Sequence, residues 1–103
     1  ITDFDLGGSS NYAFNLILKK PDKKFNVRLQ KGMDKAGIEY RRGSSGGGNQ
    51  LRQPYLIKYL QKKYYKNFPQ TDHIHFYGYY LGNYPSLKKT EILKLCKLIN
   101  SIK

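Results

Sequence analysis

The sequence predicts an α+β fold: a small, three-stranded, mainly antiparallel sheet with helices packed on one face. Three observations predict it. Residues 11–20 (NYAFNLILKK) alternate in polarity, the period of a half-buried strand. Phe25, Leu29, Met33 and Ala36 recur at i, i+4, i+8 and i+11, the stripe of an amphipathic helix. The same succession of strand and helix signals returns twice more, giving β-α-β-α-β-α, an order that folds into a two-layer sandwich.

In the first strand Phe14, Leu16 and Leu18 share one face, and Ala13, Asn15 and Ile17 the other. Pro21-Asp22 makes the turn into the first helix. Gly37 follows the last stripe residue and is placed to close that helix in a left-handed conformation. Residues 38–42 (IEYRR) read as a short, charged second strand. Pro54 suits the first turn of a second helix, with Leu56, Ile57, Leu60 and Tyr64 on one face and Asn67-Phe68-Pro69 as its end. Residues 72–81 (DHIHFYGYYL) alternate and predict the third strand, and residues 82–85 (GNYP) the turn after it. A last helix runs from about Lys88 to Ser101, its apolar stripe made by Ile92, Leu95, Cys96, Ile99 and Ile102.

With 103 residues the chain makes one domain with one modest core. Residues 11–103 are expected to form it. Residues 1–10 (ITDFDLGGSS), which lack an initiator Met, read as a lead-in from a preceding domain of a longer protein, and removal of a leader would leave the same start. No apolar run approaches the roughly 20 residues that span a bilayer, so no membrane partner is expected. A single cysteine excludes an intrachain disulfide framework and a cysteine-rich zinc site. It fits a reducing, cytoplasmic setting, with Cys96 a buried structural thiol. Lys and Arg number 19 against 7 Asp and Glu, a net charge of +12. So basic a chain raises nucleic acid as a partner. The excess, however, is mostly lysine dispersed over several segments, such as Lys19, Lys20, Lys62, Lys63, Lys88 and Lys89, so a nucleic-acid module is kept only as the reading from another class.

The segment with most chemistry is Arg41–Tyr55 (RRGSSGGGNQLRQPY), which holds four glycines, two serines and three arginines without apolar periodicity. Glycines let backbone approach a ligand closely, and arginines pair bidentately with phosphate or carboxylate. The segment matches neither a dinucleotide fingerprint nor a P-loop, and a mobile solvated loop would look the same. His73 and His75 would share a face of the predicted strand, but no third metal ligand stands at a matching spacing, and Asp72 would point the other way. Packing and hydrogen bonding are their expected roles, with general-base work open to either. Tyr77, Tyr79, Tyr80 and Tyr84 suit a domain or subunit interface, and could also stack on a base or sugar. The carboxylates show no paired arrangement, and Ser44 and Ser45 have no triad partners.

The runs GGGNQLRQPYL (46–56) and FPQTDHIHFYGYYLGNYPSL (68–87) together resemble the C-terminal domain of the DegT/StrS-type sugar aminotransferases, and the likeness extends over most of residues 11–102. These are fold-type-I enzymes that use pyridoxal phosphate (PLP) on nucleotide-linked 4-keto sugars. The RRG…GGGN…RQP form is most similar to the branch that removes the C3 hydroxyl, the GDP-4-keto-6-deoxymannose and CDP-sugar 3-dehydratases. The resemblance implies a homodimeric parent whose large N-terminal domain holds PLP, with the nucleotide sugar and glutamate as substrates. In the dehydratase branch the cofactor-binding lysine is replaced by histidine, in a segment this chain does not contain. A parent that keeps the lysine would be an aminotransferase making an amino sugar for surface polysaccharide. The resemblance also implies that Arg41, Asn49 and Arg52 face the substrate or the glutamate, with Gln53 and Tyr55 in support. By themselves the 103 residues are expected to contain no catalytic set and to fold or dimerise without activity.

Overall fold

A computed structural model describes residue 7 and residues 11–102 of the chain. The expected lead-in therefore lies outside the described residues, except for Gly7, which is exposed.

The first helix, α1 (Lys23–Lys35), is fixed at both ends by its own sequence. Asp22 is the N-cap, its Oδ1 accepting from the Phe25 N–H at 2.9 Å. Ala36 closes the helix and is exposed rather than part of the apolar stripe. Gly37 follows with φ of 66°; its N–H donates to Asp34 O at 3.1 Å, and Ile38 N–H donates to Met33 O at 2.9 Å. This pair of bonds is a Schellman motif, and it turns Ile38 back onto the core. Leu29 and Met33 are completely buried.

The sheet has the order β1-β3-β2, antiparallel throughout, from β1 (Ala13–Ile17), β2 (Tyr40–Arg42) and β3 (Gly78–Gly82). The central strand is thus the last in sequence. Leu16 lies opposite Tyr79, and Tyr40 opposite Leu81. On this face Tyr79 and Leu81 meet Leu29 and Met33 of α1, and α4 (Lys89–Ser101) adds Leu95, Leu98 and Ile99, with Ile102 just beyond its end. Leu16 and Leu18 pack against the same cluster, as the alternation predicts, whereas Phe14 on edge strand β1 is 57% exposed. The fold is α+β, with α1 and α4 covering one face of the sheet.

Three elements differ from the sequence expectation. The helix that begins at Pro54, α2 (Pro54–Ile57), lasts one turn. Lys63 then takes a left-handed φ of 66° and starts a separate 3-10 turn, Tyr64–Asn67. Pro69 does not end a helix; it opens one, α3 (Pro69–Tyr77), with Asp72 in its first turn. Proline supplies the φ a first turn needs and gives up only an N–H that would be unpaired there. The expected ten-residue strand therefore shrinks to Gly78–Gly82, and Gly78 marks the boundary because a Cβ there would lie 2.6 Å from Ile74 O. In α4 the inward direction runs through Leu95, Leu98 and Ile99. Cys96, roughly a third of a turn from that direction, is exposed and not a buried thiol, and Ile92 is 45% exposed.

Candidate functional site

The glycine-rich segment is a tight, bonded structure. Gly43 leaves β2 with its N–H on Gly78 O at 2.7 Å, and a Cβ at Gly43 would stand 1.9 Å from Ile74 O. Gly46, Gly47 and Gly48 all have positive φ, which carries the chain through a 3-10 turn (Ser45–Gly47) and back toward α3. A Cβ on Gly48 would lie 2.2 Å from His75 Nδ1, so glycine there lets the loop press against the imidazole.

Asn49 is the pivot, and only 2% exposed. Its N–H donates to His75 Nδ1 at 3.0 Å, and its Oδ1 accepts from Leu51 N–H at 3.1 Å, capping the 3-10 turn Gln50–Arg52. Its Nδ2 donates to Asp72 Oδ1 at 3.1 Å. Arg52 grips the same carboxylate with two parallel bonds, Nε to Oδ1 at 2.5 Å and Nη2 to Oδ2 at 2.7 Å. The guanidinium also lies 3.8 Å from the centre of the Tyr65 ring and 4.9 Å from that of Phe76. A planar cation bonded edge-on to a carboxylate keeps its faces free for aromatic rings, which a lysine could not reproduce.

The charges reinforce one another. The Arg52 hydrogen bonds hold the Asp72 carboxyl below the usual carboxylate range, against the opposing effect of burial, and Asn49 adds to the lowering. Asp72 in turn pushes the Arg52 guanidinium up. Burial, with Arg52 and Arg42 nearby, pulls His75 below its ordinary value, and Asp72 offsets only part of this. His75 is thereby kept neutral with its proton on Nε2, leaving Nδ1 free to accept from Asn49. The Nε of Arg42 is buried and has no hydrogen-bond partner among the described residues.

Of the five residues expected at the site, the structure brings Asn49 and Arg52 together on Asp72. Gln53 ties the loop to itself, its Nε2 donating to Gly47 O at 2.6 Å, and the Tyr55 hydroxyl donates to Gln50 Oε1. Arg41 is not brought to this cluster. It pairs with Tyr80 in the sheet, its side chain directed away from the core, and lines an open groove of about 600 Å³ that Tyr12, Tyr80, Tyr84 and Glu39 share with Glu91 of α4. Asp72, Tyr65 and Phe76 are the residues of this cluster that sequence reasoning misses, whereas His75 takes the hydrogen-bonding role expected of it. The signal for Asp72 is Pro69, which places the acid on a helix.

His73 and His75 do not share a strand face. His73 Nε2 is 2.5 Å from Leu18 O, while His75 serves Asn49, and no group able to hold a metal occurs among the described residues. Tyr77 and Tyr79 are buried, the Tyr79 hydroxyl donating to Asn26 Oδ1 and accepting from Gln30 Nε2 at 2.8 Å. Tyr80 and Tyr84 line the groove instead.

No family model matches this sequence, and no curated protein matches it. A solved structure does, that of a GDP-4-keto-6-deoxymannose-3-dehydratase with a trapped PLP-glutamate geminal diamine. The two share a fold. They superpose with a TM-score of 0.61 at 23% identity, over 89% of this chain and 22% of the other. The chain therefore spans less than a quarter of that protein's length.

Proposed function

We propose that this chain is the small C-terminal domain of a PLP-dependent enzyme that dehydrates a nucleotide-linked 4-keto-6-deoxy sugar at C3, with glutamate as amino donor and a homodimeric parent. The observation that carries the reading is the shared fold over 89% of the chain, falling on the protein class that the RRG…GGGN…RQP segment resembles. The many exposed apolar side chains support a chain that belongs to a larger body: Tyr12, Phe14, Ile17, Tyr59, Phe68 and Leu93 are each at least 42% exposed.

The described residues do not by themselves fit PLP. Asp72, which could have faced a pyridinium nitrogen, is held by Arg52 and Asn49, both histidines are bonded to backbone, and every described lysine is exposed. The cofactor and its electron-withdrawing chemistry belong to the rest of the parent. This chain contributes a rigid loop at the edge of that site and a cation, Arg41, suited to an acidic substrate. No described helix is long and apolar enough to cross a membrane.

The test is borohydride reduction of the full-length parent loaded with PLP, followed by mass spectrometry. Bound cofactor that is not trapped covalently is the expected result, since the dehydratase lacks the lysine. Covalent trapping on a lysine overturns dehydration in favour of aminotransfer. Absence of PLP binding overturns the reading as a whole, and salt-sensitive binding of RNA would then point to the basic module.

A further inference from the structure

The geometry points to Asp72 as a positioning residue for the glycine loop: through Arg52 and Asn49 it clamps Gly43–Asn49 onto α3, so that Arg52 acts as a clasp and not as the first contact of the ligand. The inference rests on the proposed function only where turnover is measured.

Five observations lead there. Arg52 directs two of its three nitrogens at one carboxylate, in the parallel geometry that fixes both groups. Its guanidinium lies within contact range of Tyr65 and Phe76, so those rings take up positions that a ligand would need. The same carboxylate accepts from Asn49, whose own N–H is bonded to His75 one turn along α3. Gly43 and Gly48 press on Ile74 and His75 of that helix so closely that no side chain fits between. Asp72 lies at the start of α3, where the helix dipole adds to the stabilisation of its charge. The Gly43 end of the loop thus packs on α3 while bonding to β3, the Asn49 end is bonded to α3, and the acid is the group on which two of the ties converge. A loop whose residues are tied in advance loses less conformational freedom when a ligand arrives.

The experiment is a double-mutant cycle in the full-length protein, Asp72→Asn, Arg52→Lys and the two combined. Two quantities are read: hydrogen–deuterium exchange of the peptide covering Gly43–Asn49, with the β3 peptide as the control for folding, and kcat and KM for the nucleotide sugar. Each single variant is expected to speed loop exchange by roughly tenfold and to raise KM by a similar factor with kcat little changed. The double variant is expected to be no worse than either single one. Should Asp72→Asn disturb β3 exchange, Asp72→Glu, which keeps the charge and misplaces it, takes its place with the same expectation. The inference is overturned if Asp72→Asn leaves loop exchange and KM unchanged while Arg52→Lys alone raises KM, or if the two effects multiply in the double variant. A parent without PLP or turnover would sink the proposed function, and the exchange data would still decide for or against the clasp.

Discussion

Gly43→Ala tests whether the loop is rigid by packing or merely rich in glycine. The added Cβ would stand 1.9 Å from Ile74 O and 2.8 Å from Ile74 C, both backbone atoms that cannot rotate away. Carbon and oxygen need about 3 Å, so β2 and α3 must separate by about 1 Å. Overpacking of this kind costs about 1–3 kcal/mol, and the displacement also weakens the Gly43 N–H bond to Gly78 O, worth about 1 kcal/mol. Together they give about 3 kcal/mol, a large share of the roughly 5–15 kcal/mol that holds an ordinary domain. The control is Gly46→Ala. That position has φ of 68° and open space where the methyl would stand, so it should cost only the left-handed strain of about 1 kcal/mol. Urea unfolding followed by circular dichroism measures both. A Gly43→Ala variant within about 0.5 kcal/mol of wild type, or one more stable than Gly46→Ala, would refute the argument, because either result means the loop can drift off α3 at little cost.

Two further outcomes are expected. His75 has a folded pKa below its ordinary 6.5, so the unfolded chain binds the proton more readily. Stability should therefore be complete above about pH 6.5 and fall as pH drops from there through the folded value, with a second loss below about pH 4 as Asp72, also lowered, takes up its proton. Urea midpoints from pH 8 to pH 3 check this, and the upper step should shrink in His75→Gln. Leu29→Ala empties a completely buried position between α1 and β3 and should cost about 2–5 kcal/mol, enough to leave much of the chain unfolded in a thermal melt at 37 °C.

The parts of the fold legible in the sequence are those with local causes. The α1 stripe, through Phe25, Leu29 and Met33 though not Ala36, and the Gly37 stop depend on spacing and on one residue's freedom at positive φ, and both are present in the structure. The third strand is overdrawn from sequence because HIHFYGYY alternates as a strand does, while the decisive feature, Pro69 at a first helical turn, has two meanings. A proline ends one helix as readily as it begins the next, and only distant contacts, such as Gly43 and Gly48 against α3, select between them. The same ambiguity hides the clasp. On a strand, Asp72 would only point away from His73 and His75; on α3 it faces Arg52, twenty residues earlier in the chain. The placement of Arg41 is out of reach for a related reason, since a neighbour two positions from a loop can belong to the opposite face of the sheet.

The position of β3 in the middle of the sheet has a consequence for the order of assembly. Ala13 pairs with Gly82, and Tyr40 with Leu81, while β1 and β2 do not pair with each other. A chain growing from a ribosome holds both outer strands long before it holds the strand that joins them. Until Gly82 has emerged, neither has a partner, and α1 lacks Tyr79 and Leu81 as well as all of α4 to pack against. Nucleation must then wait for contacts of long sequence separation, which slows folding and leaves two strands open to foreign pairing in the meantime. Nascent chains stalled before Gly78 should for that reason remain open to proteases, and those released past Ile102 should become resistant in one step.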